Sequence, residues 1–107
     1  MIESEKVLER KLCKAVREAG GIAYKFVSPN QRGVPDRMCV FPNGIAMFAE
    51  LKTTGRRPTM LQELCIGQLR GYGFVCRVID SSEKIDAFIE ESYKNYLRET
   101  YKNQLKK

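Results

Sequence analysis

The chain has 107 residues, of which 43% are hydrophobic, and this suits one compact domain with its own core. It contains no histidine, so histidine-based catalysis is excluded and a zinc finger lacks ligands; chemistry must rely on carboxylates, lysine or a bound metal ion. A net charge of +6 favours polyanionic partners, either nucleic acid or an anionic membrane face.

The cellular compartment is indicated by three features. No apolar run approaches the roughly 20 residues that cross a bilayer. Residues 1–5 are acidic and lack the apolar stretch of a secretory signal. The four cysteines stand far apart among apolar neighbours, which predicts buried free thiols at Cys13, Cys39, Cys65 and Cys76. We therefore expect a cytoplasmic protein without membrane segments and without zinc.

The first half of the chain is predicted to form one helix and three strands. Apolar side chains recur at helical spacing over about 3–19, and Gly20-Gly21 is predicted to end that helix. The strands are predicted over 22–27, 36–41 and 45–52. Pro42-Asn43-Gly44 has the composition of a tight hairpin turn between the last two.

The second half begins with a basic loop, 53–58. Thr59 and Gln62 have the spacing of a capping box, which predicts a helix to about Arg70. The apolar face predicted for this helix consists of Leu61, Leu64, Cys65 and Leu69. A strand over 74–79 follows. Ser81 or Ser82 caps a last helix that continues past Tyr96, and the polar tail from Lys102 is expected to fray.

This α-β-β-β-α-β-α order predicts an α/β fold, a mixed sheet with helices on both faces. The whole chain, 1–107, is expected to be one domain. Its core is predicted over about 3–91, with a C-terminal helix and tail over about 92–107.

Three charged residues are predicted to converge at one end of the hairpin. Asp36 begins one strand, and Glu50 and Lys52 end its antiparallel partner, so these positions should lie side by side. Glu50 and Lys52 are two apart and therefore share a face. The two carboxylates, with the Leu51 backbone carbonyl, suit a hard divalent cation such as Mg²⁺. Lys52 would then stabilise negative charge on a scissile phosphate.

A less specific reading of the same residues stays open. A Glu-x-Lys pair at a strand end is usually a solvated salt bridge, and the motif alone is weak evidence. Gly33 and Pro35, just before Asp36, fit a rigid turn with close backbone approach, or simply a loop.

The motifs taken in order resemble the VRR-NUC domain (virus-type replication-repair nuclease) of the PD-(D/E)XK nuclease superfamily. The resemblance rests on Gly33-Val34-Pro35-Asp36, on Glu50-Leu51-Lys52, and on Gln62 after a basic loop, and it spans about residues 3–88. It implies a restriction-endonuclease-like αβββαβ core with an extra C-terminal helix. The size is similar to that of stand-alone phage or bacterial forms, which resemble archaeal Holliday-junction resolvases and are expected to be homodimers.

The resemblance also implies roles for individual residues. Asp36 and Glu50 match the metal-binding acids, and Lys52 matches the catalytic lysine. Gln62 matches a glutamine near the active site, although it can also serve only the capping box with Thr59.

An acid on the first helix contributes in the family. Glu9 is the best match for it and Glu5 the competing choice, and an ordinary solvated helix face explains either. Positive side chains in or beside the neighbouring loops are candidates for phosphate contacts: Lys25, Arg32, Arg37, Arg56 and Arg57.

The function expected from these residues is a Mg²⁺- or Mn²⁺-dependent, structure-selective DNA endonuclease of phage or bacterial replication and repair. It would act on branched or junction DNA in the cytoplasm of a bacterium or an infected host cell. The alternatives are a non-catalytic nucleic-acid-binding module with this fold, or an interaction protein that docks a partner. The docking surface in that last case would be formed by Phe88, Tyr93, Tyr96 and Tyr101.

Overall fold

Helices and strands follow one another in the order expected from the sequence. The structure, a computed structural model, describes residues 1–106. Within that range the elements are α1 (Glu5–Glu18), β1 (Ile22–Lys25), β2 (Arg37–Phe41), β3 (Ile45–Leu51), α2 (Met60–Gly71), β4 (Val75–Ile79) and α3 (Ser82–Leu105). A 3₁₀ turn, Pro42–Gly44, connects β2 to β3 where a hairpin turn was expected.

The strands form one mixed sheet in the order β1-β2-β3-β4. The two hairpin pairs are antiparallel, whereas β3 and β4 are parallel. A parallel pair needs a crossover connection, and α2 supplies it. The α/β fold predicted from the sequence is therefore confirmed.

Side-chain alternation along the strands divides the core between the two faces of the sheet. On one face, Met47, Ala49 and Leu51 of β3 pack with buried side chains of α1 and α3. On the other face, Phe48 packs with Cys76 and with Ile66 of α2. We call these the α1/α3 face and the α2 face. Glu50 follows Ala49 along the strand and therefore belongs to the α2 face.

The apolar face predicted for the second helix is wrong at two positions. Leu61 and Leu64 are 50% and 59% exposed. The residues that face the sheet are Gln62, Cys65, Ile66 and Leu69, which recur at i, i+3, i+4 and i+7. The inward stripe is therefore rotated by about one residue, so that it begins with a polar side chain.

The expectation of a frayed tail is also wrong, because α3 continues to Leu105. No glycine or proline follows Ser82 to interrupt it, and Glu99 pairs with Lys102 one turn later at 3.5 Å. Of the helices that the structure describes, none combines the length and apolar character needed to span a membrane. All four cysteines are free; Cys13 is only half-buried, and the other three are buried as expected.

Candidate active site

The hairpin places Asp36 beside Glu50, as the sequence predicts. Arg37 is the cross-strand partner of Ala49, so the residues one step outward, Asp36 and Glu50, stand opposite each other on the α2 face. The Asp36 side chain is held there because its Oδ2 accepts a hydrogen bond from the Leu51 backbone N–H at 2.9 Å. The strand end thus brings two carboxylates together.

Glu50 is a buried carboxylate whose two oxygens have different surroundings. Its side chain is only 1% exposed. Oε2 accepts a hydrogen bond from Gln62 Nε2 at 2.8 Å and lies 3.3 Å from Lys52 Nζ. Oε1 is buried and has no hydrogen-bond partner in the described residues. One oxygen is therefore fixed by the protein, and the other is left for a further positive group.

The environment of Glu50 disfavours its charged form. Burial, and next the negative charge of Asp36, raise the pKa of Glu50 to about 7, while Lys52 partly offsets them. Two carboxylates and one ammonium carry a net negative charge in a poorly hydrated place. A bound divalent cation would relieve that charge, and it would also give Oε1 a partner.

Gln62 both completes the capping box of α2 and contacts the candidate active site, which are the two roles that the sequence leaves open. Its Oε1 accepts from the Thr59 backbone N–H at 2.8 Å, and its backbone N–H donates to Thr59 Oγ1 at 3.2 Å, which completes the capping box. Its Nε2 is still free to donate to Glu50. The first turn of α2 and the carboxylate of β3 are joined through this one amide.

The loop before Asp36 packs directly on α2. Gly33 has φ +84°, and a Cβ built on it would lie 2.6 Å from the Leu61 carbonyl oxygen. The Cys65 thiol donates to the Arg32 carbonyl at 3.2 Å. A glycine is therefore required at this contact for space as well as for backbone conformation. The turn that presents Asp36 and the helix that presents Gln62 form one packed unit.

The structure does not bring Glu9 into this cluster. Glu9 Oε1 pairs with Arg37 Nη2 at 3.0 Å, on the α1/α3 face of the sheet. Within residues 1–106, no three His, Cys, Asp or Glu side chains form a group that could hold a metal ion. Glu5 is exposed, and its described contact is a backbone N–H donated to Thr53 Oγ1 at 3.3 Å.

The five candidate phosphate contacts divide between two locations. Arg32, Arg56 and Arg57 are exposed in the loops on either side of Asp36 and Glu50. Lys25 and Arg37 are cross-strand partners and therefore share the α1/α3 face, away from the two acids.

Further cations beside Arg37 were missed from the sequence. Arg10, Lys14 and Arg17 recur at i, i+4 and i+7 on α1 and line a groove with Arg37. Their helical spacing could have identified them.

Two of the four thiols, those of Cys39 and Cys76, do not compete with the carboxylates as reactive groups. Burial is the main cause that raises the pKa of Cys39 to about 12 and that of Cys76 to about 11, so both stay protonated at neutral pH.

The chain is similar to a phage protein and to a solved domain. It is 46% identical over 79 residues to "Putative nuclease p44" of Acyrthosiphon pisum secondary endosymbiont phage 1, an alignment covering 74% of this chain and 85% of the phage protein. A solved structure named "VRR_NUC domain" superposes with a TM-score of 0.77 at 22% identity, covering 82% of this chain and 97% of that one. No protein-family model matches the chain.

The fold and the strand-end cluster together define a class of protein. A mixed sheet in αβββαβ order, with an aspartate beside a Glu-x-Lys strand end, is the arrangement expected of the nuclease domains that the sequence resembles. The chain belongs to the VRR-NUC family, as the similarity to the phage protein and to the solved domain shows.

Proposed function

We propose that this VRR-NUC protein is a nuclease that hydrolyses phosphodiester bonds in DNA, using Mg²⁺ or Mn²⁺ held at Asp36 and Glu50. The observation that carries the proposal is the buried Glu50 Oε1, which has no hydrogen-bond partner among residues 1–106 and lies on a carboxylate directly opposite a second one. Leaving a buried acceptor without a partner costs stability, and a metal ion at this position would remove that cost.

The donor set suits a hard cation that retains water. Asp36 and Glu50 supply carboxylate oxygens. The Leu51 N–H points toward Asp36, and in an extended strand the carbonyl of the same residue points to that side as well. Two carboxylates with one backbone oxygen match Mg²⁺, which usually keeps several waters. When bound, such an ion lowers the pKa of a coordinated water and neutralises charge on the phosphate.

The remaining residues of the cluster position Glu50 and stabilise negative charge on the phosphate. Lys52 Nζ, 3.3 Å from Glu50 Oε2 and only 15% exposed, is a fixed positive charge for the negative charge that develops on the phosphate. Gln62 holds Oε2 and so leaves Oε1 free for the cation. Glu9 acts indirectly in this proposal, because it is paired with the neighbouring Arg37.

The finer parts of the proposal concern the substrate and the setting. The exposed Arg32, Arg56 and Arg57 can contact phosphates flanking the cut, which favours recognition of backbone shape over base sequence. With the family resemblance, this supports a structure-selective endonuclease for branched or four-way DNA in phage or bacterial replication and repair. The cytoplasm of a bacterium or an infected host cell is the expected compartment.

A homodimer is part of the proposal. Phe88 is buried in the core of the domain, so it is not available for the docking surface of the interaction-protein alternative. The exposed apolar side chains farther along α3 are spaced four residues apart: Tyr93, Leu97, Tyr101 and Leu105. One such stripe can cover the same stripe on a second copy around a twofold axis.

The test is cleavage of a panel of duplex, flap, splayed-arm and four-way DNA with Mg²⁺ or Mn²⁺. Asp36→Ala, Glu50→Ala and Lys52→Ala should each lower the cleavage rate by about 10²-fold or more, because each removes a group that stabilises the transition state. Asp86→Ala, at an exposed acid of α3, is the matched control and should cleave like the parent.

Two outcomes would refute the proposed activity. One is an Asp36→Ala protein, purified free of other nucleases, that cuts as fast as the parent. The other is DNA binding by the parent without cleavage in any metal ion, which would favour the non-catalytic binding module. EDTA should abolish cleavage and leave electrostatic DNA binding largely intact.

A further inference from the structure

A positively charged groove lies on the opposite face of the sheet from the acids. A groove of about 220 Å³ is lined by Glu9, Arg10, Cys13, Lys14, Arg17 and Arg37. Four of these six residues are cationic, and the single acid is already paired with Arg37. The groove therefore carries a net positive charge.

The cations of α1 are arranged as a row. Arg10, Lys14 and Arg17 are exposed and lie at i, i+4 and i+7, which places Lys14 and Arg17 about 6 Å and 10 Å beyond Arg10 along the helix axis. The opposite side of α1, with Leu8, Leu12 and Val16, is buried in the core. The row is thus held at a fixed orientation to the rest of the domain.

Within the chain these cations have few partners. Among the described residues, Arg10 and Arg17 form no ion pair, and Lys14 lies 3.9 Å from Glu18. Like charges four residues apart repel each other on a helix, and Glu18 offsets this only at Lys14 among the described ion pairs. A polyanion is the partner that would offset this repulsion.

Arg37 links the row to the acids. Its side chain is held by Glu9 and by the Ala23 carbonyl, which accepts from Nη1 at 3.1 Å. Arg37 follows Asp36 directly, so the groove and the two acids are on opposite sides of the same strand end. Lys25, the cross-strand partner of Arg37 on the edge strand β1, adds another exposed cation on this side.

We propose that the α1 groove binds the phosphate backbone of duplex DNA in a stretch of the substrate outside the one that is cut. This inference rests on the proposed nuclease function and adds where a second stretch of the substrate lies. A backbone that passes over the end of the sheet where loop 26–36 connects β1 to β2 would contact the acids on one side and the α1 row on the other. The contacts are to phosphates, so the surface confers affinity without base specificity.

The experiment measures duplex binding in EDTA as a function of salt concentration. The logarithm of the binding constant falls with log salt, and each phosphate contact adds about 0.9 to the magnitude of that slope. R10A/K14A/R17A should therefore reduce the magnitude of the slope by roughly 2 to 3. K94A/R98A/K102A removes the same number of positive charges from α3 and should change the slope by less than about 1. Thermal unfolding of both variants checks that the fold is retained.

Three results would overturn the inference. One is an equal loss of slope in both variants, which would indicate only net charge. Another is stabilisation of the parent by inorganic phosphate, lost in R10A/K14A/R17A, with an unchanged DNA slope, which would indicate a small-anion site. The third is an R10A/K14A/R17A protein that loses binding to phosphatidylserine vesicles but binds DNA with an unchanged slope, which would indicate a membrane surface. Cleavage by the parent is scored separately, so failure of the nuclease activity is distinguishable from failure of the α1 surface.

Discussion

Glu50 shows at the level of one side chain how the site departs from what favours folding. A carboxylate that is 1% exposed, opposite Asp36, is a poor choice for stability, since burial and a like charge both oppose its ionisation. Lys52 and Gln62 compensate only one of its two oxygens. Such an uncompensated group is typical of a residue retained for binding or catalysis.

We expect this cost to appear in the pH dependence of stability without metal. Because the pKa of Glu50 is raised to about 7 in the folded protein, the folded state holds a proton that the unfolded state loses above its value of 4.5. The free energy of unfolding should therefore fall as pH rises from 4.5 to 7. Relative to Glu50→Gln, the parent should lose about 1–3 kcal/mol between pH 5 and pH 8.

The measurement is urea unfolding of both proteins in EDTA across that pH interval. Adding Mg²⁺ or Mn²⁺ should stabilise the parent at pH 8 and leave Glu50→Gln nearly unchanged. Parallel profiles of unfolding free energy against pH for the two proteins would contradict a raised pKa at the buried Glu50 carboxyl.

The sequence predicts these residues better than it predicts their environment. The proximity of Asp36 and Glu50 follows from the antiparallel hairpin alone. The burial of Glu50 does not, because it depends on α2 lying over this end of the sheet. The pairing of Glu9 with Arg37 was equally inaccessible, since it requires the packing angle of α1 on β2.

At the level of elements, the contact between loop 28–35 and α2 holds the two halves of the site together. Gly33→Ala should break it, because a Cβ would overlap the Leu61 carbonyl at 2.6 Å. Gly73→Ala is a matched control: Gly73 has φ +94° and open space around its Cβ position, so it carries the backbone strain without the overlap. Gly33→Ala should cost about 1–3 kcal/mol more than Gly73→Ala in urea unfolding.

The same two variants, Gly33→Ala and Gly73→Ala, should also differ in cleavage rate. Gly33→Ala should also lower the cleavage rate at temperatures where the protein is still folded, because it displaces Gln62 from Glu50. Equal destabilisation by the two substitutions would mean that the loop can move away from α2 without cost.

A second junction between elements is made by Glu3. Its Oε2 accepts from Lys11 Nζ at 2.7 Å, and its Oε1 accepts from the Ser82 backbone N–H at 2.8 Å, at the start of α3. Its backbone exchanges hydrogen bonds with Thr54 in the loop after β3. The residue ties the N-terminus to the two segments that follow β3 and β4.

We expect this junction to weaken only in acid. The Lys11 hydrogen bond, followed by those from Ser82, lowers the pKa of Glu3 from 4.5 to about 2. Its contribution to stability is thus complete above pH 4.5 and is lost as pH falls toward 2. Glu3→Gln should unfold at lower urea than the parent at pH 7, and the difference should shrink steadily toward pH 2. A difference independent of pH would assign the effect to packing.

The α2 stripe illustrates why element type is easier to predict than element orientation. The pattern over 60–71 contains two overlapping apolar stripes, one through Leu61 and Leu64 and one through Ile66 and Leu69. The second begins with Gln62, a polar residue, so the predicted face included Cys65 and Leu69 of this stripe but not Gln62 or Ile66. The contact between Gln62 and Glu50, together with the packing of Ile66 and Leu69 on the sheet, explains why the helix turns that side inward.

At the scale of the whole molecule, the topology was accessible because each local signal agreed with the others. The hairpin turn, the capping box and the alternation of helical and strand patterns admit few ways to cover both faces of one sheet. The length of α3 was underestimated because a polar sequence without glycine or proline gives no sign of where a helix ends. Its outer half then presents apolar side chains that this one domain does not cover.

The exposed apolar side chains of α3 predict that the protein forms a dimer. If two copies pair through α3, light scattering should give twice the chain mass of 12.3 kDa at micromolar concentration. Tyr101→Glu would place a charge on both sides of a twofold contact and should shift the protein toward the monomer. Tyr72→Glu, at a more exposed tyrosine directly after α2, is the control and should stay dimeric. A parent of 12.3 kDa at every concentration would refute the dimer, and a dimer that survives Tyr101→Glu would place its contact elsewhere.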